Sequence, residues 1–174
     1  MTIHDYDLQH TNTGTIMDTV FLEQQLAELF AHYHAPDKRY CHTAFSSKDL
    51  VLLDELIAAL NNVLGNYTLW HGYSSEPNNA PPPRCSRSQF IQQVFNNDTG
   101  LIICYPEQWL RHWSALDKQA FWSALSSRHG GENVIVVFAE NAEFAQLNQQ
   151  YFTSQPLAAT AINFWVSTRT SPSL

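Results

Sequence analysis

The stretch Arg39–Gly65, RYCHTAFSSKDLVLLDELIAALNNVLG, decides how the rest of the chain is read. In its first part Tyr40, His42 and Ala44 alternate with Cys41, Thr43 and Phe45, the period of a short strand. The SSKD that follows suits a helix start. Ser46 or Ser47 is placed to accept from the free first-turn amides, and Asp49 puts a negative charge where the helix dipole favours one. Leu50, Leu53, Leu56, Ile57, Leu60 and Leu64 then recur at helical spacing, and Gly65 suits the stop. A strand running into a capped helix is the first half of a βα unit. In open α/β sheets ligands bind where strands end and helices begin, so a site is expected to start at Phe45–Asp49.

The same alternation continues outward. Before the stretch, residues 18–33 carry an apolar stripe of Phe21, Leu22, Leu26, Leu29 and Phe30 and read as a helix, with residues 1–17 polar. After it, residues 67–73 read as a strand. The segment SEPNNAPPPRC follows as a stiff exposed loop, because three consecutive prolines remove donors and fix φ. Ser86 or Ser88 opens a short helix with Phe90, Ile91, Val94 and Phe95 inward. Leu101–Tyr105 is apolar almost throughout, as in a strand covered on both faces, and Pro106 stops it. Ser114 opens the helix SALDKQAFWSALSS, with Asp117 at its third position as in a capping box, and Gly130 and Gly131 close it. ENVIVVFAEN is a further buried strand, residues 142–152 a weaker helix, and AINFWVSTR a last strand. The order α, then βαβαβαβαβ, predicts a five-stranded, mostly parallel sheet with helices on both faces, preceded by an extra N-terminal helix.

Composition narrows the function. With 174 residues, 44% hydrophobic and 14% charged, the chain can bury the core of one domain. A formal charge of −7 argues against nucleic acid or an anionic membrane as the main partner. There is no apolar run of the ~20 residues a membrane helix needs, nor a signal peptide, so a cytoplasmic location is expected. Cys41, Cys85 and Cys104 are too scattered for a disulfide framework or a zinc site. The two common glycine-rich phosphate loops, H-E-x-x-H and G-x-S-x-G are all absent. His32 and His34 are closely spaced, but at i, i+2 on a helix they face apart and read as helix-end residues.

HTAFSSKD before an apolar helix, LWHGYS before a proline-rich loop, RSQFIQQVFNNDTGLIICYPEQWLRHW and VIVVFAEN occur in this order. Together they resemble the strands and turns of a TIR (Toll/interleukin-1 receptor-like) domain of bacterial type, over about residues 38–168. Pro106 and Trp113 stand seven apart, as in that family's third-strand run. The resemblance implies a flavodoxin-like three-layer αβα domain at residues 38–170, with residues 1–37 as an N-terminal extension. It also implies a place in anti-phage defence, cleavage of NAD at the nicotinamide–ribose bond with NAD as substrate and no permanent cofactor or metal, and self-association or partner contact through the 76–84 proline loop.

The family's catalytic glutamate, four residues after the tryptophan, is matched here by Asp117. One methylene less withdraws the oxygens by ~1 Å, enough to cost ~100-fold in rate. The implied cleft is lined by Phe45, Ser46, Trp70, His71 and Trp113. Each has a plain alternative: Asp117 as a first-turn acid favoured by the dipole, Trp113 as core, Ser46 as a cap, and Arg84 and Arg87 as solvated loop residues rather than phosphate contacts. Two further functions stay open: a non-catalytic TIR-like adaptor working by assembly, and a degenerate nucleotide-binding subunit of a larger complex. The N-terminal helix is expected to cover the face that a TIR domain's last helix would cover.

Overall fold

A computed structural model describes residues 19–34, 42–73, 92, 100–126, 133–140, 151–155 and 161–167. Its centre is strand β1 (Thr43–Ser47), buried at every position. β1 pairs in parallel with β4 (Val134–Ala139) and antiparallel with β6 (Asn163–Ser167). β2 (Thr68–His71), β3 (Leu101–Cys104) and β5 (Phe152–Gln155) complete a six-stranded sheet in the order β2-β3-β4-β1-β6-β5. β2, β3 and β4 run parallel to β1; β6 runs against it and against β5, so β6 alone of the six is reversed.

Helices lie on both faces. Phe45, Ile102, Cys104, Ile135, Val137 and Phe164 point to one face and meet Leu22, Leu26 and Phe30 of α1 (Thr19–Tyr33) and Leu53, Leu56, Ile57 and Leu60 of α2 (Leu50–Val63). Their neighbours along the strands, Ala44, Leu101, Ile103, Val134, Val136 and Phe138, point to the other face. There they meet Leu110 of the short α3 (Glu107–Leu110) and Phe121, Trp122 and Leu125 of α4 (Ala115–Ser126). The period of two along each strand is what divides the core into two clusters.

The N-terminal helix is part of the first cluster. Asn62 near the end of α2 donates to Glu23 near the start of α1 at 2.9 Å, so the two packed helices run in opposite directions. Tyr33 reaches Phe164 of β6, ring centroids 5.5 Å apart. Of the expected stripe, Leu22, Leu26 and Phe30 are buried, whereas Phe21 is 52% exposed.

Several expectations need correcting. The sheet has six strands, not five, and β1 lies between β4 and β6, whereas a flavodoxin-like order seats the first strand between the second and third. The expected helix over 142–152 gives way at Phe152 to β5, which pairs with β6; residues 142–150 are outside the described set. Ser46 and Ser47 do not cap α2. They remain in β1 because partner strands hold the backbone extended on both sides, and Asp49 is the cap. The expected helix over 87–97, apart from Gln92, which is helical, together with Cys41, Cys85, Arg84, Arg87 and the 76–84 loop, falls outside the described residues. Among the described residues, no helix is long and apolar enough to cross a membrane.

Phe45 is wholly buried among α1 and α2, while Phe21 stands half in solvent. Phe45→Ala is therefore expected to cost about 3–5 kcal/mol of unfolding free energy. Phe21→Ala should stay within about 0.5 kcal/mol. Urea denaturation of both variants checks the assignment of faces.

Candidate functional site

The parallel strands β1, β3 and β4 end side by side, and their C-terminal edge is where charge collects. From β1 the chain passes into α2 and then to β2, beyond β4 and β3; from β4 the next strands lie on the far side of β1. The ends of β1 and β4 are thus the switch point at which an open α/β sheet binds its ligands.

Only Lys48 and Asp49 separate β1 from α2. Asp49 Oδ1 accepts from the amides of Val51 at 3.1 Å and Leu52 at 3.2 Å, and its own amide donates to Ser47 Oγ at 3.1 Å. A carboxylate thus already occupies the helix N-terminus, where a phosphate would otherwise find free amides. Across the switch point the Glu140 amide donates to the Ser47 carbonyl at 3.0 Å, and Asn163 Nδ2 donates to Glu140 Oε2 at 3.0 Å.

Glu107 opens α3 immediately after Pro106. Its Oε1 accepts from the Ala139 amide at 3.0 Å, which holds the carboxyl across the ends of β3 and β4. The side chain is only 9% exposed, and among the described residues Oε2 has no hydrogen-bond partner. Burial lifts its pKa to about 7, against the lowering effect of its own amide and that of Ala139.

A second group lies beside it, at the ends of β2 and β3. Tyr105 is held at φ 54°, a left-handed conformation that costs a non-glycine residue on the order of 1–3 kcal/mol. Its hydroxyl donates to Asp54 of α2 at 2.9 Å; burial and that bond push the phenol pKa well up. His71 meets the Tyr105 ring edge-on at 5.3 Å, and Tyr73 meets it at 4.9 Å. The Tyr73 amide donates to His71 Nδ1 at 3.2 Å, so the ring proton of neutral His71 is on Nε2. Burial lowers the His71 pKa, and Asp54 partly opposes this. Gln108 donates to the Tyr73 hydroxyl at 2.9 Å. Gly72 is required between these rings, because a Cβ there would lie 2.4 Å from the Tyr105 carbonyl oxygen.

The six residues expected to form one cleft are dispersed. Phe45 is buried on the α1–α2 face, whereas Asp117 is carried by α4 on the other face. The Asp117 amide donates to Ser114 Oγ at 3.2 Å, as the capping reading requires. Ser46 shares the α4 face, where its Oγ accepts from Trp165 Nε1 at 3.2 Å. It lies three strands from Trp70, about 14 Å of sheet. Trp70 is buried in the α4-face core and Trp113 packs edge-on against Phe121, centroids 6.2 Å apart. His71, next to Trp70 on the strand, turns instead toward Tyr105 and Asp54.

Asp54, Tyr73, Tyr105, Glu107 and Gln108 were not among the expected site residues. The signals were slight: Asp54 interrupts an otherwise apolar helical face, and Glu107 follows a strand-ending proline. Among the described residues no three His, Cys, Asp or Glu side chains converge so as to hold a metal ion. Compared with known proteins, the chain matches no family model, no curated protein and no solved structure.

Glu107 titrates higher in the folded chain than the ordinary value of 4.5, so the native state holds the extra proton and stability falls as pH rises from about 4.5 to 7. His34 acts oppositely. Burial and the nearby His42 lower its pKa from 6.5 to about 4, so its contribution to stability is lost as pH falls through that window. The two slopes overlap, and the Glu107 part is read as a difference between proteins. Relative to wild type, Glu107→Gln should gain up to about 3 kcal/mol between pH 4.5 and 8, checked by urea unfolding at both pH values.

Proposed function

We propose that the domain works as a non-catalytic binding module, an adaptor or assembly unit, and not as an NAD-cleaving enzyme. The observation that carries this reading is the turn from β1 to α2. A dinucleotide at the switch point of such a sheet lays its pyrophosphate on a helix N-terminus, usually over a glycine-rich turn. Here the turn is two residues long, contains no glycine, and its first helical amides are taken by Asp49. Glu140 adds a further carboxylate at the end of β4, which disfavours a polyanion.

The dispersal of the expected residues supports the same reading. Cleavage of the nicotinamide–ribose bond needs one carboxylate beside a pocket that positions the ribose. Phe45 points to the α1–α2 face of the sheet, whereas the helix that carries Asp117 packs on the other face. The adaptor reading does not depend on the TIR resemblance. It also absorbs the third possibility, a nucleotide-binding architecture that has lost its phosphate seat.

Purified protein at high concentration, incubated with NAD, should release nicotinamide no faster than buffer, and Asp117→Ala should behave identically. Release by the wild type that disappears in Asp117→Ala would overturn the reading.

A further inference from the structure

His71 ends β2 with a hydrogen bond that only its uncharged ring can make. Its Nδ1 accepts from the Tyr73 amide, two residues on, at 3.2 Å. A ring nitrogen that accepts carries no proton, so the proton of the neutral ring is on Nε2. A second proton has only Nδ1 to go to. There it would set one N–H against another, because imidazolium has no acceptor to offer. Charging His71 therefore breaks this bond.

The bond belongs to a small, well-connected group. The Gly72 amide donates to the Cys104 carbonyl at 2.9 Å and carries the β2–β3 ladder one residue further. Tyr73 is then fastened at three points: its amide on His71, its ring 4.9 Å from that of Tyr105, and its hydroxyl, which accepts from Gln108 at 2.9 Å. Tyr105 is itself held in a left-handed backbone, a conformation that persists only where its surroundings impose it. His71 and Tyr73 supply two of those constraints through their rings, and Asp54 a third through the hydroxyl.

A charged ring has a second partner at hand. Burial lowers the pKa of His71 from 6.5, and the Asp54 carboxylate on α2 acts the other way, favouring the protonated ring. Asp54 Oδ1 takes the Tyr105 hydroxyl, and Oδ2 has no hydrogen bond among the described residues. The other titratable groups on the elements packed against His71 are engaged or uncharged. Cys104, its register partner on β3, is a thiol that burial keeps protonated. Glu107 at the start of α3 is turned to the Ala139 amide, and Arg111 at its end contacts His112. The hydroxyls of Tyr73 and Tyr105 are bonded to Gln108 and Asp54.

We propose that His71 is a two-position proton switch: uncharged, it fastens Tyr73 at the exit of β2; charged, it lets the Tyr73 amide go and turns to Asp54, and the cluster of the His71, Tyr73 and Tyr105 rings opens. A histidine with one partner for each charge state is the bistable element such a switch needs. The fold holds the neutral ring, so the fastened state is complete above pH 6.5 and is lost as pH falls through the lowered pKa. The inference does not depend on the non-catalytic reading. It states what acid does to the surface that Tyr73, 57% exposed, presents beside the strand ends.

The test is NMR of the full, isotope-labelled chain from about pH 8 down to about pH 4. At the upper end, long-range proton–nitrogen spectra should show Nδ1 of His71 as the ring nitrogen without a proton. As pH falls, the His71 ring, the Tyr73 amide and the Tyr105 ring protons should titrate with one midpoint, below 6.5. His71→Asn keeps a side-chain acceptor for the amide two residues on, as in an Asx turn, but takes no proton. In that variant the Tyr73 amide should not titrate. Asp54→Asn should lower the His71 midpoint by about half a unit or more, roughly threefold in proton affinity. A neutral ring protonated on Nδ1, a Tyr73 amide that does not follow the His71 midpoint, or one that still titrates in His71→Asn would overturn the switch. An unchanged midpoint in Asp54→Asn would overturn its second position. The tautomer and the shared midpoint are read on the wild type, so the outcome does not hang on a variant that fails to fold.

Discussion

Strand β1 is bonded on both sides and buried on both faces, and the rest of the molecule is arranged around that fact. Its parallel partner β4 and antiparallel partner β6 hold it extended through Ser47, so the chain has two residues in which to turn into α2. Burial also imposes a polar accounting on TAFSS. Ser46 takes the Trp165 indole N–H and Ser47 takes the Asp49 amide. The second of these bonds links strand to helix: the serine that ends β1 fixes the residue that caps α2. A longer or looser turn would free the α2 amides for another ligand; this one leaves them satisfied from within the chain.

Much of the architecture could be read from local pattern. LIIC and VIVVFA are continuous apolar runs, the signature of strands covered on two faces, and the structure places them next to each other in the middle of the sheet. The α2 spacing and the Ser114 cap of α4 could be read as well, because both depend on residues within one or two turns of each other. The failures have a common cause. FTSQ has one buried apolar residue and no alternation; it is a strand because β6 offers it an edge, which is a tertiary fact. Ser46 and Ser47 have a helix-cap composition, but partner strands outbid a local cap.

The candidate site was harder to read for a similar reason. Its chemistry lies in pairings distant along the chain: Tyr105 with Asp54, Glu107 with Ala139, Glu140 with Asn163. None leaves a spacing motif. The residues that did suggest a motif were dispersed by the pleat. Phe45 and Ser46 are adjacent in sequence and therefore face opposite sides of the sheet, as do Trp70 and His71. A cleft assembled from neighbours along one strand must respect that alternation.

The placement of α1 bears on where this folding unit begins. Leu22, Leu26 and Phe30 insert into the same cluster as Phe45 and Phe164, and Tyr33 leans on β6. A unit drawn from residue 38 onward, as the TIR resemblance implies, would strip that layer from the cluster that α2 and the sheet share. The helix before the first strand is thus a wall of the domain and not an appendage to it. Any fusion, transplant or trimming of this protein that respects its architecture has to carry the segment from Thr19 along.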